Sequence, residues 1–200
     1  MKKGWPLLLL VALALSGCGV SQSPRFYTLN TLAAPPGPTA AAATKDAVLI
    51  GLGPVAIPDR LNRPQITSLS GENEITVAEF DRWSGSLQEE ISRTVTENLT
   101  ILLPSYRVVS LPWGRRLNVD RQIAIDILRM DGKLGGQIIL KANWAVTVTS
   151  DSGTKTVLVR HTEIAEGMSG SDYTAYVAAQ SRALAKLSRE ITAAVTSPPK

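Results

Sequence analysis

Side chains that perform catalysis or bind transition metals are almost missing from this sequence. Its 200 residues include one histidine and one cysteine. These provide no His/Cys metal cluster, and the chain has no G-x-S-x-G segment that would present a nucleophilic serine. His161 falls within a strand pattern, which favours an ordinary surface or hydrogen-bonded histidine over a catalytic one. The expectation is therefore a protein that is neither an enzyme nor a metal-binding protein.

Signals for phosphate or nucleic-acid binding are equally scarce. Gly51-Leu52-Gly53 has the glycines of a dinucleotide loop, but Pro54 follows and no helix opens there. The chain has 21 basic and 17 acidic residues, and Lys2 and Lys3 account for part of that small excess. No cluster of Lys and Arg is available to neutralise a phosphate backbone, so no nucleic-acid partner is expected.

The sequence also lacks a hydrophobic run long enough to span a bilayer, which takes about 20 residues. The N-terminus instead has the three parts of a secretory signal peptide. These are the basic pair Lys2-Lys3, an apolar stretch from Pro6 to Leu15, and the small pair Ser16-Gly17. We therefore expect residues 1–17 to be a signal peptide that is removed on export.

The end of this segment, Leu15-Ser16-Gly17-Cys18, resembles the bacterial lipobox. We expect diacylglycerol on the Cys18 thiol, which also explains a single cysteine in an exported chain. Two or three acyl chains hold a protein firmly on a membrane. The other interpretation is an ordinary signal peptide with a cysteine there by chance. Gly19 stands where an Asp would favour the inner membrane, so we expect an outer-membrane anchor facing the periplasm and no cofactor beyond the covalent lipid.

The mature chain is long enough for one domain with a sizeable core. Residues 18–25 form the expected lipidated N-terminus, residues 26–196 the domain, and residues 197–200 a tail. An Ala/Pro-rich insert at 30–46 buries little and predicts a surface excursion. Apolar patterns predict strands at 25–29, 48–57, 65–69, 74–78, 106–111, 121–130, 137–149 and 155–164.

Two amphipathic helices are predicted. The first is expected to start near Ser84 or Ser86. Ser86 and Glu89 match a capping box, and apolar residues then recur at helical spacing until Pro104 ends the run. Asp172 is the expected N-cap of the second helix, whose apolar stripe runs to Val195. The predicted fold class is α+β, with a largely antiparallel β-sheet and two long helices packed on one face. If the strands on either side of the first helix are parallel, their crossover should be right-handed.

Charged residues gather just before the first helix and in an earlier loop. Glu79, Asp81 and Arg82 predict a polar loop that complements the helix N-terminus. A paired-carboxylate glycosidase site is the alternative. Asp59 and its neighbours up to Gln65 predict a solvated loop, and loops on a rigid sheet often carry contact residues.

Tryptophans mark core positions or partner anchors. Trp144 lies on a clean alternating strand stripe and should be buried. Trp83 and Trp113 fall at element ends, where they either cover the edges of the core or contact a partner. Gly53-Pro54, inside an apolar strand, predicts a bulge or an edge position.

An ordered series of segments resembles the PqiC/YmbA family of ABC-type transport auxiliary lipoproteins. The series spans nearly the whole mature chain, and its order makes it more specific than any single segment. The Ala/Pro stretch at 33–44 is a local departure from the family pattern. The series consists of the lipobox, Arg25–Leu29, Gly53–Val55 with Pro58–Gln65, Glu79–Trp83, Pro112–Gly114 and Ser181–Ile191.

The resemblance implies a non-enzymatic docking or gating component, anchored in the outer membrane, of a system that moves lipids between membranes. The implied partners are a periplasmic MCE-domain transporter protein and its inner-membrane permease. Because MCE assemblies are rings around a pore, a homo-oligomeric ring of this chain is a further expectation. The partner-contact residues that we predict are Asp59, Arg60, Arg63, Gln65, Asp81, Trp83 and Trp113.

Two alternatives remain open from the sequence. One is a structural envelope lipoprotein without a transport role. The other is a periplasmic hydrolase, which a deep pocket with Asp59 and Asp81 converging would favour.

Overall fold

The computed structural model describes residues 22–34, 47–112, 117–150 and 153–196. The predicted signal peptide, Cys18, Trp113, the tail and most of the Ala/Pro insert therefore lie outside the described residues. Within that part of the chain the elements are β1 (Arg25–Tyr27), β2 (Leu49–Ala56), β3 (Gln65–Leu69), β4 (Ile75–Trp83), α1 (Leu87–Leu102), β5 (Arg107–Ser110), β6 (Arg121–Gly132), β7 (Gln137–Ser150), β8 (Gly153–Gly167) and α2 (Tyr173–Thr196).

The strands form two mixed sheets. The larger sheet has the order β5-β2-β6-β7-β8, in which β2 runs parallel to β5 and β6, and β6 to β8 form an antiparallel meander. The smaller sheet has the order β1-β4-β3, with β1 parallel and β3 antiparallel to β4. The predicted α+β class is confirmed. The division into two sheets was not predicted, because side-chain alternation indicates a residue's face but not its strand's partner.

One face of the larger sheet carries the core. Alternate residues of β7, from Ile138 to Val146, are buried. Trp144 is among them, and its indole Nε1 donates to Thr162 Oγ1 at 3.0 Å. Helix α1 contacts β2 and β5, α2 contacts β7 and β8, and the helices contact each other. This is the arrangement expected of two helices lying side by side to cover an apolar sheet face.

Both predicted helix starts are confirmed. Ser86 is the N-cap of α1, and its hydroxyl accepts a hydrogen bond from the Glu89 amide at 3.4 Å. Asp172 Oδ1 accepts from the Ala175 amide at 2.8 Å at the start of α2. Helix α1 ends at Leu102, shortly before Pro104, which cannot continue a helix.

The prediction of a polar loop at Glu79–Arg82 was wrong, because these residues belong to β4. That strand continues to Trp83 because its last residues pair with β1. The strands on either side of α1 do not form a parallel pair, so the predicted right-handed crossover between them does not arise. Strands β4 and β5 lie in different sheets, and β5 runs parallel to β2 instead.

The bulge predicted at Gly53-Pro54 is present. The pairing of β2 with β6 shifts register between Leu52 and Val55. Gly53 has φ +139°, a region that favours glycine. Strand β2 is nevertheless internal to the sheet, so the bulge, and not an edge position, accommodates the proline.

Candidate functional site

The smaller sheet brings together sequence segments that lie far apart in the chain. Arg25–Tyr27 pairs residue by residue with Asp81–Trp83. On the other side of β4, Gln65 is the cross-strand partner of Arg82. Three of the segments that carry the family resemblance are therefore neighbours in one small sheet.

Asp81 is the polar centre of this sheet. It is 7% exposed, and one carboxylate oxygen receives the Arg25 guanidinium at 2.8 Å and the Tyr27 hydroxyl at 2.7 Å. The hydrogen bond with Asp81 and its charge raise the pKa of Arg25. Burial, followed by the bond to Asp81, raises the pKa of the Tyr27 phenol. Asp81 therefore acts as a structural acceptor that fixes β1 on β4.

Trp83 is part of the core. Its side chain is 4% exposed and belongs to the main hydrophobic cluster. Its backbone amide donates to the Pro64 carbonyl at 2.8 Å, which ties the preceding loop to the end of β4. Among the described residues of the predicted partner surface, the accessible ones therefore lie in this loop.

The loop from Pro58 to Pro64 presents charged side chains from a fixed base. Leu61 is 3% exposed and anchors the loop in the core. Asp59 and Arg63 are exposed. Arg60 reaches Asp131 on β6 at 3.4 Å, and Asp131 is only 5% exposed. The structure thus brings Arg60 to a buried carboxylate and leaves Asp59 and Arg63 facing solvent.

Polar side chains that no sequence motif marks hold the segment after β1. We call this segment, Thr28–Leu32, the strap. Glu90 on α1 accepts from the Thr28 hydroxyl at 2.6 Å and from the Leu29 amide at 3.2 Å. Arg93 donates to the Leu29 carbonyl at 2.9 Å and to Glu90 at 2.8 Å. Burial raises the pKa of Glu90, but the bonds from Thr28, Arg93 and the Leu29 amide together lower it below its ordinary value.

The strap also reaches the seam between the two helices. The Leu32 amide donates to Asn98 Oδ1 at 2.7 Å, and the Asn30 amide donates to Ser181 Oγ at 3.0 Å. Asn98 and Ser181 are both buried, although each stands in the apolar stripe of its helix. A polar residue at such a position was the sequence signal for a buried hydrogen bond.

A groove of about 600 Å³ lies between α1 and the edge strand β5. Val55, Val108 and Leu111 contribute apolar lining to it. Asp59 and Asp81 do not line it, and Asp81 is already bound to Arg25 and Tyr27. This groove therefore gives no support to a hydrolase that uses those two carboxylates.

His161 lies on the exposed surface of β8. Its Nδ1 is 2.9 Å from the Asn143 side-chain oxygen on β7. Across the residues that the structure describes, no three His, Cys, Asp or Glu side chains come together as a metal site. In the same part of the chain, no helix has both the length and the apolar character to cross a bilayer.

Comparison with known proteins identifies the family. Residues 27–192 match the family of ABC-type transport auxiliary lipoprotein components. The chain is 24% identical over 145 residues to the intermembrane transport lipoprotein PqiC of Escherichia coli K12, covering 72% of this chain and 73% of that protein. The protein of the same name from Shigella flexneri matches with the same identity and coverage.

Solved structures share the fold. A crystal structure of an uncharacterized protein superposes with a TM-score of 0.70 at 16% identity, covering 88% of this chain and 100% of that one. A protein from Xanthomonas campestris gives a TM-score of 0.64 at 19% identity, covering 86% and 94%. The matched family consists of transport auxiliary lipoproteins and not of enzymes. This chain belongs to the family of ABC-type transport auxiliary lipoprotein components.

Proposed function

We propose that this chain is an outer-membrane lipoprotein subunit of an MCE/ABC-type system that transports lipids between membranes. Its partners are a periplasmic MCE-domain protein and the inner-membrane permease of that system. The chain performs no chemistry and acts as a docking or gating component. The observation that carries the proposal is the family match over residues 27–192. The name of the Escherichia coli relative, an intermembrane transport lipoprotein, supports it.

The membrane attachment in this proposal is a diacylglycerol on Cys18, with Gly19 directing the protein to the outer membrane. Cys18 is the only cysteine of the chain, so lipidation leaves no free thiol. The small sheet begins at Arg25 and is fixed to α1 through the strap. With only seven residues from Cys18 to Arg25, the proposed anchor would keep the domain close to the membrane and raise its effective concentration for a partner in the periplasm.

The contact surface that we propose is the exposed part of the Asp59–Gln65 loop. Asp59 and Arg63 can meet a partner without any rearrangement of the core. Trp83 is unsuitable as a test position because its replacement would open the core. We propose further that several copies form a ring, which would repeat this loop around the axis of an MCE assembly.

The loop is tested with a charge reversal. In pull-downs of the transporter protein from cross-linked membranes, Arg63→Glu should reduce capture about tenfold, because an interfacial charge mismatch costs upwards of about 1.4 kcal/mol. Arg160→Glu is the matched control, since Arg160 is an exposed arginine on β8 in the other sheet. Equal capture by folded Arg63→Glu and Arg160→Glu proteins would contradict the loop as the contact surface.

A further inference from the structure

Phe26 is an exposed aromatic residue on the outer strand of the small sheet. Its side chain is 65% exposed, although β1 is only three residues long. The flanking Arg25 and Tyr27 both bind Asp81. Because successive side chains of a strand point to opposite faces, Phe26 points away from them. The strand thus presents an aromatic ring on the face opposite Asp81.

Arg82 lies beside Phe26 on that face. The two residues are cross-strand partners in the parallel pairing of β1 with β4. Arg82 is partly exposed, and no acidic side chain among the described residues forms an ion pair with it. A guanidinium presents paired N–H groups that match the oxygens of a phosphate. The Phe26–Arg82 face therefore combines an apolar ring with a donor suited to a phosphate oxygen.

Positive and negative side chains around this face nearly cancel. Arg25 is neutralised by Asp81 at 2.8 Å. Arg63 is exposed in the adjoining loop, and Asp59 and Glu79 are exposed acids of the same region. Such a mixed surface is too weakly basic to bind an anionic membrane by charge alone. Insertion of an aromatic ring at the headgroup level supplies the apolar contribution that charge does not.

The chain length between Phe26 and Cys18 brings this face within reach of the bilayer. An extended chain advances at most about 3.6 Å per residue, so Phe26 lies within about 30 Å of the anchor. We propose that the Phe26–Arg82 face rests on the membrane surface, with Phe26 in the interfacial region and Arg82 bound to the phosphate of an anionic phospholipid. This inference rests on the proposed lipid anchor at Cys18.

A thiol probe can test this contact, because acylation of Cys18 leaves an engineered cysteine as the single free thiol. The full lipidated chain carries a fluorophore on Asn62→Cys, an exposed position outside the proposed membrane contact. It is reconstituted in vesicles of phosphatidylethanolamine and phosphatidylglycerol that contain nitroxide-headgroup lipids. We expect quenching of the probe, and weaker quenching in phosphatidylcholine vesicles that contain the same fraction of nitroxide-headgroup lipid.

Variants then separate contact from mere tethering. Arg82→Gln should shift the ratio of contacting to free domains about fivefold towards the free state, the effect of one basic residue at an anionic surface. Phe26→Asp should also abolish most of the quenching. Val159→Asp and Arg160→Gln are the matched controls, because both residues are exposed on β8 in the other sheet. Equal quenching in the Arg82→Gln and Arg160→Gln proteins would overturn the inference. So would cross-linking of Phe26→Cys, through a photoactivatable thiol probe, to a second copy of this chain instead of lipid.

Separate readouts distinguish failure of this inference from failure of the proposed function. If the chain still captures the transporter and the Arg82→Gln and Arg160→Gln proteins show equal quenching, the membrane contact alone is overturned. If the chain does not capture the transporter but Arg82→Gln still reduces quenching relative to Arg160→Gln, the transport role alone is contradicted and the membrane contact is supported. Fluorophore found on Cys18 by mass spectrometry would show a free thiol and overturn both.

Discussion

Burial separates two aromatic residues that stand at neighbouring positions of the small sheet. Trp83 is 4% exposed and Phe26 is 65% exposed, although they lie on adjacent strands only one register step apart. Composition and spacing make both aromatic residues candidates for the core or for a partner. Only the pairing of β1 with β4 decides which side chain points inward.

The contrast between these two residues gives a stability prediction. Trp83→Ala should lower the free energy of unfolding by about 3–5 kcal/mol, because it removes a large buried ring and leaves a cavity. Phe26→Ala should change it by less than about 0.5 kcal/mol, since the ring is largely in solvent. Urea unfolding followed by circular dichroism measures both. Similar losses in the two variants would show that the burial of Trp83 is not what stabilises this end of the sheet.

At the scale of elements, the strap joins β1 to the helices through side chains that accept backbone amides. Glu90, Asn98 and Ser181 each take one amide of the strap. Leu29, which is 2% exposed, adds an apolar contact at the centre of the segment. The strap therefore couples the strand nearest the proposed anchor to both helices, and movement of one requires these bonds to break.

The lowered pKa of Glu90 makes this attachment sensitive to acid. A carboxyl whose pKa is lower in the folded chain stabilises the fold above its unfolded pKa, and that contribution disappears as the pH falls through the folded pKa. With an ordinary value of 4.5, the loss should begin near pH 5 and be complete below the lowered folded value. Glu90→Gln should destabilise the protein by about 1–2 kcal/mol at pH 7.

Urea unfolding at several pH values checks this. The difference between wild type and Glu90→Gln should shrink as the pH falls below 4.5. Glu74→Gln is the control, because Glu74 is an exposed carboxyl in the β3–β4 turn. A difference that stays constant from pH 7 to pH 3 would mean that the charge of Glu90 contributes nothing to holding the strap.

Local sequence patterns predict most of the helices and strands. The candidate site, in contrast, depends on pairings between residues far apart in the chain. The helix caps at Ser86 and Asp172 involve residues within three positions, so the sequence alone indicates them. The Tyr27–Asp81 bond joins residues 54 positions apart, and no period or spacing encodes such a partner. For this reason the pattern at Glu79–Arg82 predicts a loop, whereas these residues belong to the paired end of β4.

Across the molecule as a whole, the chain passes back and forth between the two sheets. The chain enters the small sheet at β1, passes through the strap across both helices, forms β2 of the large sheet and returns to the small sheet for β3 and β4. The remaining strands then complete the large sheet. The end of the Asp59–Gln65 loop lies next to β4, the strand that pairs with β1 on its other side. The geometry suits a subunit that is held at a membrane and presents a charged loop to a periplasmic partner.

Co-purification tests whether this chain works within an intermembrane lipid transport complex. A C-terminal affinity tag on the full chain, expressed in its own host, is used to isolate the protein from gently solubilised, cross-linked membranes. Mass spectrometry should then find an MCE-domain protein and the associated permease, together with an acylated peptide that begins at Cys18. Recovery of the acylated chain from membranes without either transporter protein would contradict the account.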